Sequence, residues 1–209
     1  MIEYIIPGNI DDRVLKRAAL ILEDGGLVAH PTDTTWHVSC SSSSLKGIAR
    51  LAHLRGGNQG LLTLMTADIS QASAFAEIGT PQYKVMRRLT PGPYVFILEA
   101  TRTLRKRCGM KRREVGVRIT EHPVATALAN TLGVPLFTTT AARTMDDESW
   151  WDPVFAEENL FSMGWEIEDI PGVDLVLDGG DDLTKVLTTV LDLTHDEMHI
   201  IREGAGVLT

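Results

Sequence analysis

The stretch that most constrains this chain runs from Gly25 to Trp36 and reads Gly-Gly-Leu-Val-Ala-His-Pro-Thr-Asp-Thr-Thr-Trp. A short apolar run, Leu27 to Ala29, lies between a glycine pair and a proline. That pattern predicts a buried strand, with Pro31 ending the ladder because it has no N–H to donate. Thr32, Asp33 and Thr34 then place two hydroxyls and a carboxylate at the strand end, where open α/β sheets bind their ligands. Two readings fit these residues. They form a turn that stabilises itself, since Asp and Thr hydrogen-bond their own backbone, or they form a ligand-binding loop. Spacing alone favours the turn.

The rest of the chain decides what surrounds that strand. Asn9 to Asp12 can cap a helix whose inner face carries Val14, Leu15, Ala18, Ala19 and Leu22, with Gly25-Gly26 as its stop. Val38-Ser39-Cys40 continues the sheet. Ser41 to Ser44 is a polar link into a second helix bearing Leu45, Ile48, Ala49 and Ala52, which ends near His53-Leu54-Arg55. A loop at Gly56 to Gly60 precedes a strand from Leu61 to Met65 and a helix from Asp68 through Phe75. Thr80-Pro81 opens a further helix that runs to about Arg88. The turn Thr90-Pro91-Gly92-Pro93 leads into a strand from Tyr94 to Glu99, and a basic loop leads to another from Val115 to Ile119. A helix follows Thr120 to Pro123 and stops at Gly133, and Pro135 leads into the strand Leu136 to Thr140. Strands at Asp174 to Leu177, Val186 to Leu191 and His199 to Arg202 close the chain. This irregular alternation, without repeats, predicts an α/β (α+β) fold: a single domain over residues 1–209 with a twisted mixed parallel and antiparallel sheet flanked by helices. Residues 144 to 172 form an acidic, tryptophan-rich insert, with Trp150, Trp151 and Trp165 and a helix expected from Asp152-Pro153 through Phe161. Neither a GxGxxG nor a Walker sequence is present, so any nucleotide is held another way.

Charge narrows the partners. The net charge of −8 argues against a general nucleic-acid binder. The distribution is uneven: thirteen acidic residues and no Lys or Arg fall between Met145 and Asp182, leaving the remainder at +5. Seven basic residues, Arg102, Arg105, Lys106, Arg107, Lys111, Arg112 and Arg113, crowd into one run. Such a run is either a solvated loop or a surface for phosphate backbones. No aromatic is interleaved with it, so base stacking is not expected there. No apolar run is long enough to span a bilayer, the N-terminus lacks signal-peptide order, and the two cysteines lie far apart. A reduced cytoplasmic setting with no membrane contact is expected.

Several side chains invite chemistry. His53-x-Arg55 sits at the predicted end of the second helix, where cations complement the helix dipole or grip an anion. Arg118, in the apolar strand Val115-Gly116-Val117-Arg118-Ile119, needs either an internal carboxylate or a ligand anion, because an unpaired buried charge is costly.

In their order along the chain these segments resemble the YrdC/YciO family of threonylcarbamoyl-AMP synthases. The resemblance rests on the Pro-Thr-Asp-Thr segment, Thr90-Pro91-Gly92-Pro93, Gly116-Val117-Arg118 with His122-Pro123, Thr138-Thr139-Thr140-Ala141-Ala142, Asp178-Gly179-Gly180, Thr188-Thr189-Val190-Leu191-Asp192 and Arg202-Glu203-Gly204-Ala205. Departures at Trp36, His37, His53, Ala142 and Thr188 make the chain look more like the YciO branch. The resemblance implies an enzyme that joins L-threonine, bicarbonate and ATP, the last with Mg²⁺, to give threonylcarbamoyl-adenylate for tRNA modification. It implies catalytic roles for Arg55 and Arg118 and substrate contacts from Thr32, Thr34, Trp36 and Arg118. It further implies nucleotide contacts from His53, Arg55, Thr140, Arg143, Thr188 and Arg202, with no metal ligands from the protein. The alternative it implies is a double-stranded RNA or tRNA binder of the same fold, using the Arg102 to Arg113 run, with little or no synthase activity.

Overall fold

Asp11 starts the first long helix by accepting a hydrogen bond on its carboxylate from the backbone N–H of Arg13, 2.8 Å away. In this computed structural model the helix covers Asp12–Glu23 (α1) and buries Leu15, Ala18, Ala19 and Leu22, one stripe at helical spacing. It is preceded by a short strand, Ile2–Tyr4 (β1), which three residues are too few to announce. Gly25 ends the helical segment with φ at 83°, a conformation that suits glycine. The structure describes all residues except 7, 57–62, 145–157, 169, 181 and 209. The loop expected at Gly56 to Gly60 and the start of the strand at Leu61 therefore lie largely outside the described residues, as do Trp150, Trp151 and most of the helix expected from Asp152.

The chain continues through Val28–Pro31 (β2), Trp36–Ser41 (β3), Leu45–Leu54 (α2), Thr63–Met65 (β4), Ile69–Ser73 (α3) and Thr80–Leu89 (α4). Tyr94–Glu99 (β5), Arg102–Cys108 (α5), Glu114–Arg118 (β6), Pro123–Leu132 (α6) and Leu136–Thr140 (β7) follow. Leu175–Asp178 (β8), Thr189–Asp192 (β9) and His199–Arg202 (β10) complete it. The ten strands form one sheet in the order β1-β8-β2-β3-β7-β4-β6-β5-β9-β10. The β8 pairings with β1 and β2, and the pairs β4–β6 and β5–β9, are parallel, whereas β2–β3, β3–β7, β4–β7, β5–β6 and β9–β10 are antiparallel. The mixed sheet expected from the sequence is present.

Three local expectations are corrected. Pro31 does not break the pairing but closes it opposite Trp36, so β2 and β3 form a hairpin around residues 32–35. A strand's last residue can be proline because its missing N–H need not join the ladder. The run after Glu99 is not a loop: Thr101 accepts from the N–H of Leu104 and Leu104 is buried, which suffices to wind α5 before Gly109 ends it at φ 60°. The strand expected from Val186 begins only at Thr189, since Leu187 packs instead against Ala142 and Leu160.

The two faces of the sheet differ. On one, Val38, Cys40, Leu64, Val117 and Phe137 join Ile48 and Leu51 of α2 in the main core. On the other, Val28, Met65, Leu136, Leu175 and Leu177 are covered by α1 and α6 through Ala18, Leu22, Leu128 and Leu132. That cover stops partway along the strands. Two residues on in β2 and β7, on the same side by strand alternation, the chain changes character to His30 and Thr138, and β3 adds His37 and Ser39. Gly116 lies beneath this polar area because a Cβ there would meet Thr63 Oγ1 at 2.8 Å.

Candidate functional site

Arg118 organises the polar half of that face. It ends β6 and is fully buried. Its Nη2 donates to Asp33 Oδ1 at 2.6 Å, to Thr34 Oγ1 at 2.8 Å and to Thr32 Oγ1 at 3.2 Å. Thr120 Oγ1 donates to the same Asp33 oxygen at 2.5 Å, while Asp33 Oδ2 and Arg118 Nε are buried without a hydrogen-bond partner. Of the two partners the sequence allowed for Arg118, the structure supplies the internal carboxylate. The reason is that the hairpin loop folds back over β6. The loop also stabilises itself as a turn: Thr32 Oγ1 accepts from the N–H of Thr34 and Thr35 and donates to the Thr35 carbonyl at 2.7 Å, while the same loop clasps Arg118.

Arg118 Nη1 donates to His37 Nε2 at 3.0 Å. Arginine has no acceptor, so His37 Nε2 presents its lone pair and Nδ1 carries the proton toward Thr138 Oγ1, 2.9 Å away. Ser39 Oγ bonds to the same threonine at 3.0 Å, and His30 bridges Ser39 Oγ at 2.8 Å and the Pro31 carbonyl at 3.1 Å. Burial, with the positive charge of Arg118 behind it, holds His37 well below the usual histidine range. Burial likewise brings His30 to about 4. Both rings are therefore neutral at pH 7.

Arg202 ends β10, the last strand in the sheet order. Its Nε donates to the Thr188 carbonyl and its Nη2 to Thr188 Oγ1, both at 3.0 Å. Burial first, and then the charge of Arg118, lower Arg202 to about 10. A largely buried guanidinium whose charged form is disfavoured by burial and by a second cation gains from a nearby anion. Thr140 is half-buried and lies opposite His37 in the strand pairing.

The remaining expected residues lie elsewhere. Trp36 does not face this floor. It is 1% exposed, belongs to the main core and donates its indole N–H to the Ser162 carbonyl at 3.0 Å. Alternation along β3 sends Trp36 to one face and His37 to the other. His53 is exposed and lines a separate groove of about 300 Å³ with Leu27, Arg50 and Pro171, so the structure does not bring it to Arg118. Arg55 is half-buried at the end of α2, beside residues outside the description. Arg143 is ion-paired with Glu166 at 2.5 Å and lies 4.8 Å from the Phe161 ring centroid. Partial burial works against ionisation of Glu166, yet the Met163 and Ser162 amides and Arg143 hold its carboxyl below the ordinary value. Ala142 packs with Leu160 and Leu187. Of the basic run, Arg102, Lys106, Arg107, Lys111, Arg112 and Arg113 are exposed, whereas Arg105 is half-buried with its Nε hidden from solvent.

The residues missed from sequence are Asp33 as the partner of Arg118, His30, His37, Ser39 and Thr138. Their signal was the polar alternation of His37-x-Ser39 and Thr138-x-Thr140 within otherwise apolar strands.

The family model described as telomere recombination, Sua5/YciO/YrdC, matches residues 20–204, and the chain belongs to this family. Within it, the chain is 31% identical over 207 residues to YciO of Escherichia coli strain K12, covering 97% of this chain and 95% of that one. The crystal structure of E. coli YciO superposes with a TM-score of 0.83 at 30% identity, over 99% of this chain and 97% of that one. A threonylcarbamoyl-AMP synthase of Halorhodospira halophila is 32% identical over 137 residues, 65% of this chain and 71% of that protein. P. abyssi Sua5, crystallised with L-threonine, shares the fold at a TM-score of 0.82 and 22% identity, over 98% of this chain and 57% of its own.

Proposed function

We propose that the chain is a synthase of the threonylcarbamoyl-AMP type, joining L-threonine, bicarbonate and ATP in support of tRNA modification. The observation that carries this reading is a pair of buried or largely buried guanidiniums, each on threonine hydroxyls, Arg118 on Thr32 and Thr34 and Arg202 on Thr188, with Arg118 close enough to bear on the charge of Arg202. Relatives named as synthases, and the L-threonine complex of Sua5, supply its context. In the reaction, the amine of threonine and bicarbonate give a carbamate with loss of water. A carbamate oxygen attacks the α-phosphorus of ATP, the bond to the β-phosphate oxygen breaks, and pyrophosphate leaves. Such chemistry needs position and charge stabilisation rather than a protein nucleophile. Arg202 and Arg55 hold the phosphates in this reading, and Thr32, Thr34 and Arg118 form the substrate end. Mg²⁺ enters as the ATP complex in this reading.

The test is pyrophosphate release from MgATP and bicarbonate with and without L-threonine. Threonine-dependent release supports the reading, and its absence from folded protein overturns it.

A second reading, binding of double-stranded RNA or tRNA with little or no synthase activity, is favoured by one observation: α5 presents Arg102, Lys106 and Arg107 to solvent, with Lys111 to Arg113 exposed just beyond. Neutralising Arg102, Lys106 and Arg107 together should weaken RNA binding and flatten its dependence on salt. RNA affinity indifferent to all three changes would count against it.

A further inference from the structure

β4 and β6 are parallel neighbours in the sheet, yet the chain leaves them toward opposite faces. After β4 it enters α3 and α4, whose Ala72 and Met86 are buried in the main core. After β6 it enters α6, whose Val124 and Leu128 are buried on the other face. Adjacent parallel strands whose connections part in this way leave a crevice beyond their carboxyl ends, and such crevices are where open α/β sheets take up ligands.

A cavity of about 870 Å³ lies at this place. Ala67, just past β4, and Ile119 to Glu121, just past β6, line it, with Tyr83 and Arg87 of α4 and Thr126 of α6. Its size is that of a small-molecule site, roughly 300–1,000 Å³. Neither Arg118 nor His37 lines it, and Thr120, which does, gives its hydroxyl hydrogen to Asp33.

The charged groups on its wall are Asp68, Arg87 and Glu121. Asp68 is engaged as the cap of α3, where its Oδ1 accepts from the Gln71 N–H at 2.7 Å. Arg87 and Glu121 are exposed, and neither takes part in an ion pair among the described residues. Arg87 comes from the main-core side and Glu121 from the link into α6, so the two sides of the crevice contribute opposite charges. Ile78, Pro91 and Ile119 supply apolar surface to the same cavity. A simple anion would meet Glu121 and a simple cation Arg87, each with like-charge repulsion. A molecule carrying a carboxylate, an ammonium and an apolar body suits all of these groups together.

We infer that the crevice beyond β4 and β6 is a second ligand site, for an apolar amino acid or short peptide whose carboxylate meets Arg87 and whose ammonium meets Glu121. It does not rest on the synthase reading, because it uses none of the residues assigned there.

The test is titration calorimetry on the full chain with four probes. L-leucine and L-leucyl-L-leucine are two sizes of the same zwitterion. Leucinol lacks the carboxylate, and 4-methylpentanoate lacks the ammonium. At least one zwitterion should bind about fivefold or more tightly than either single-charge analogue, and which of the two binds tells an amino acid from a peptide. Arg87→Gln should weaken that zwitterion about fivefold and leave leucinol unchanged. Glu121→Gln should weaken it by a similar factor and leave 4-methylpentanoate unchanged. General loss of packing would weaken all four probes alike. Because both side chains are exposed, both variants should keep the native fold, which circular dichroism checks. No binding of either zwitterion, equal binding of a single-charge analogue, or zwitterion affinity that stays within twofold in both variants overturns the inference.

Discussion

Two concentrations of positive charge in this molecule obey opposite rules. Arg118 lies at 0% exposure, with its Nη1 and Nη2 each assigned to named partners. The Arg102 to Arg113 run holds seven basic residues, six of them exposed. Inside, desolvation makes each unpaired charge expensive, so geometry is specified atom by atom. Outside, water and salt screen the charges, and only their density matters. Identical side chains thus serve as a single fixed component in one region and as interchangeable contributors to a field in the other.

The contrast breaks most sharply at Arg118. Arg118→Met leaves the part-buried Asp33 carboxylate without its cation, and the expected loss of stability is about 3 kcal/mol. Urea denaturation measures it, and adding Asp33→Asn in the same chain should recover part of the loss, because the stranded carboxylate is then neutral. A loss within 1 kcal/mol, ~0.5–1 being ordinary for an exposed pair, would place Arg118 among the surface charges.

The next effect comes from the histidines beside it. His30 takes up a proton near 6.5 when unfolded but only near 4 when folded. The unfolded chain therefore binds more protons between these values. The contribution is complete above about pH 6.5 and is lost as pH falls toward 4, by about 3 kcal/mol. His37, depressed for the same reason, adds in the same direction. Stability measured by denaturant titration from pH 7.5 to 4.5 should decline along this course. His30→Gln keeps an amide near Ser39 and the Pro31 carbonyl but does not titrate in this range, so it should flatten the curve. An unaltered slope would show that another group carries the dependence.

The smallest effect is expected on α5. Replacing Arg102, Lys106 and Arg107 with Gln should change stability by less than about 0.5 kcal/mol, because these side chains are exposed. Thr101→Ala, which removes the cap on Leu104 N–H, should cost about 1 kcal/mol by the same thermal or urea measurement. Were the charge changes to exceed the cap change, the run would be structural after all.

Much of this molecule was readable before any coordinates. Caps and stops gave α1, α2, α4 and α6, since Asp11, Ser44, Pro81, Pro123 and the glycines at 25 and 133 act on their immediate neighbours. Arg118 was recognised as a buried charge in need of a partner from its apolar neighbours alone. Its choice of Asp33, 85 residues away in sequence, was not, because strand order decides which loop closes over which strand. The same limit explains Trp36 and His53. One turned into the core by alternation, and the other sits on a helix end facing a separate groove.

What the sequence determined by itself is what acts over a few residues: where helices begin and end, which strands are buried, and that Thr32, Asp33 and Thr34 make a turn. What only the tertiary structure decided is the use of those pieces. The order of the strands gathers His37, Thr138 and Arg118 into one polar area and pairs Asp33 with Arg118. The physical reason is range. Local hydrogen bonds and dihedral preferences are written within a turn of chain, whereas the desolvation that makes a buried charge select its partner exists only after distant strands have come together.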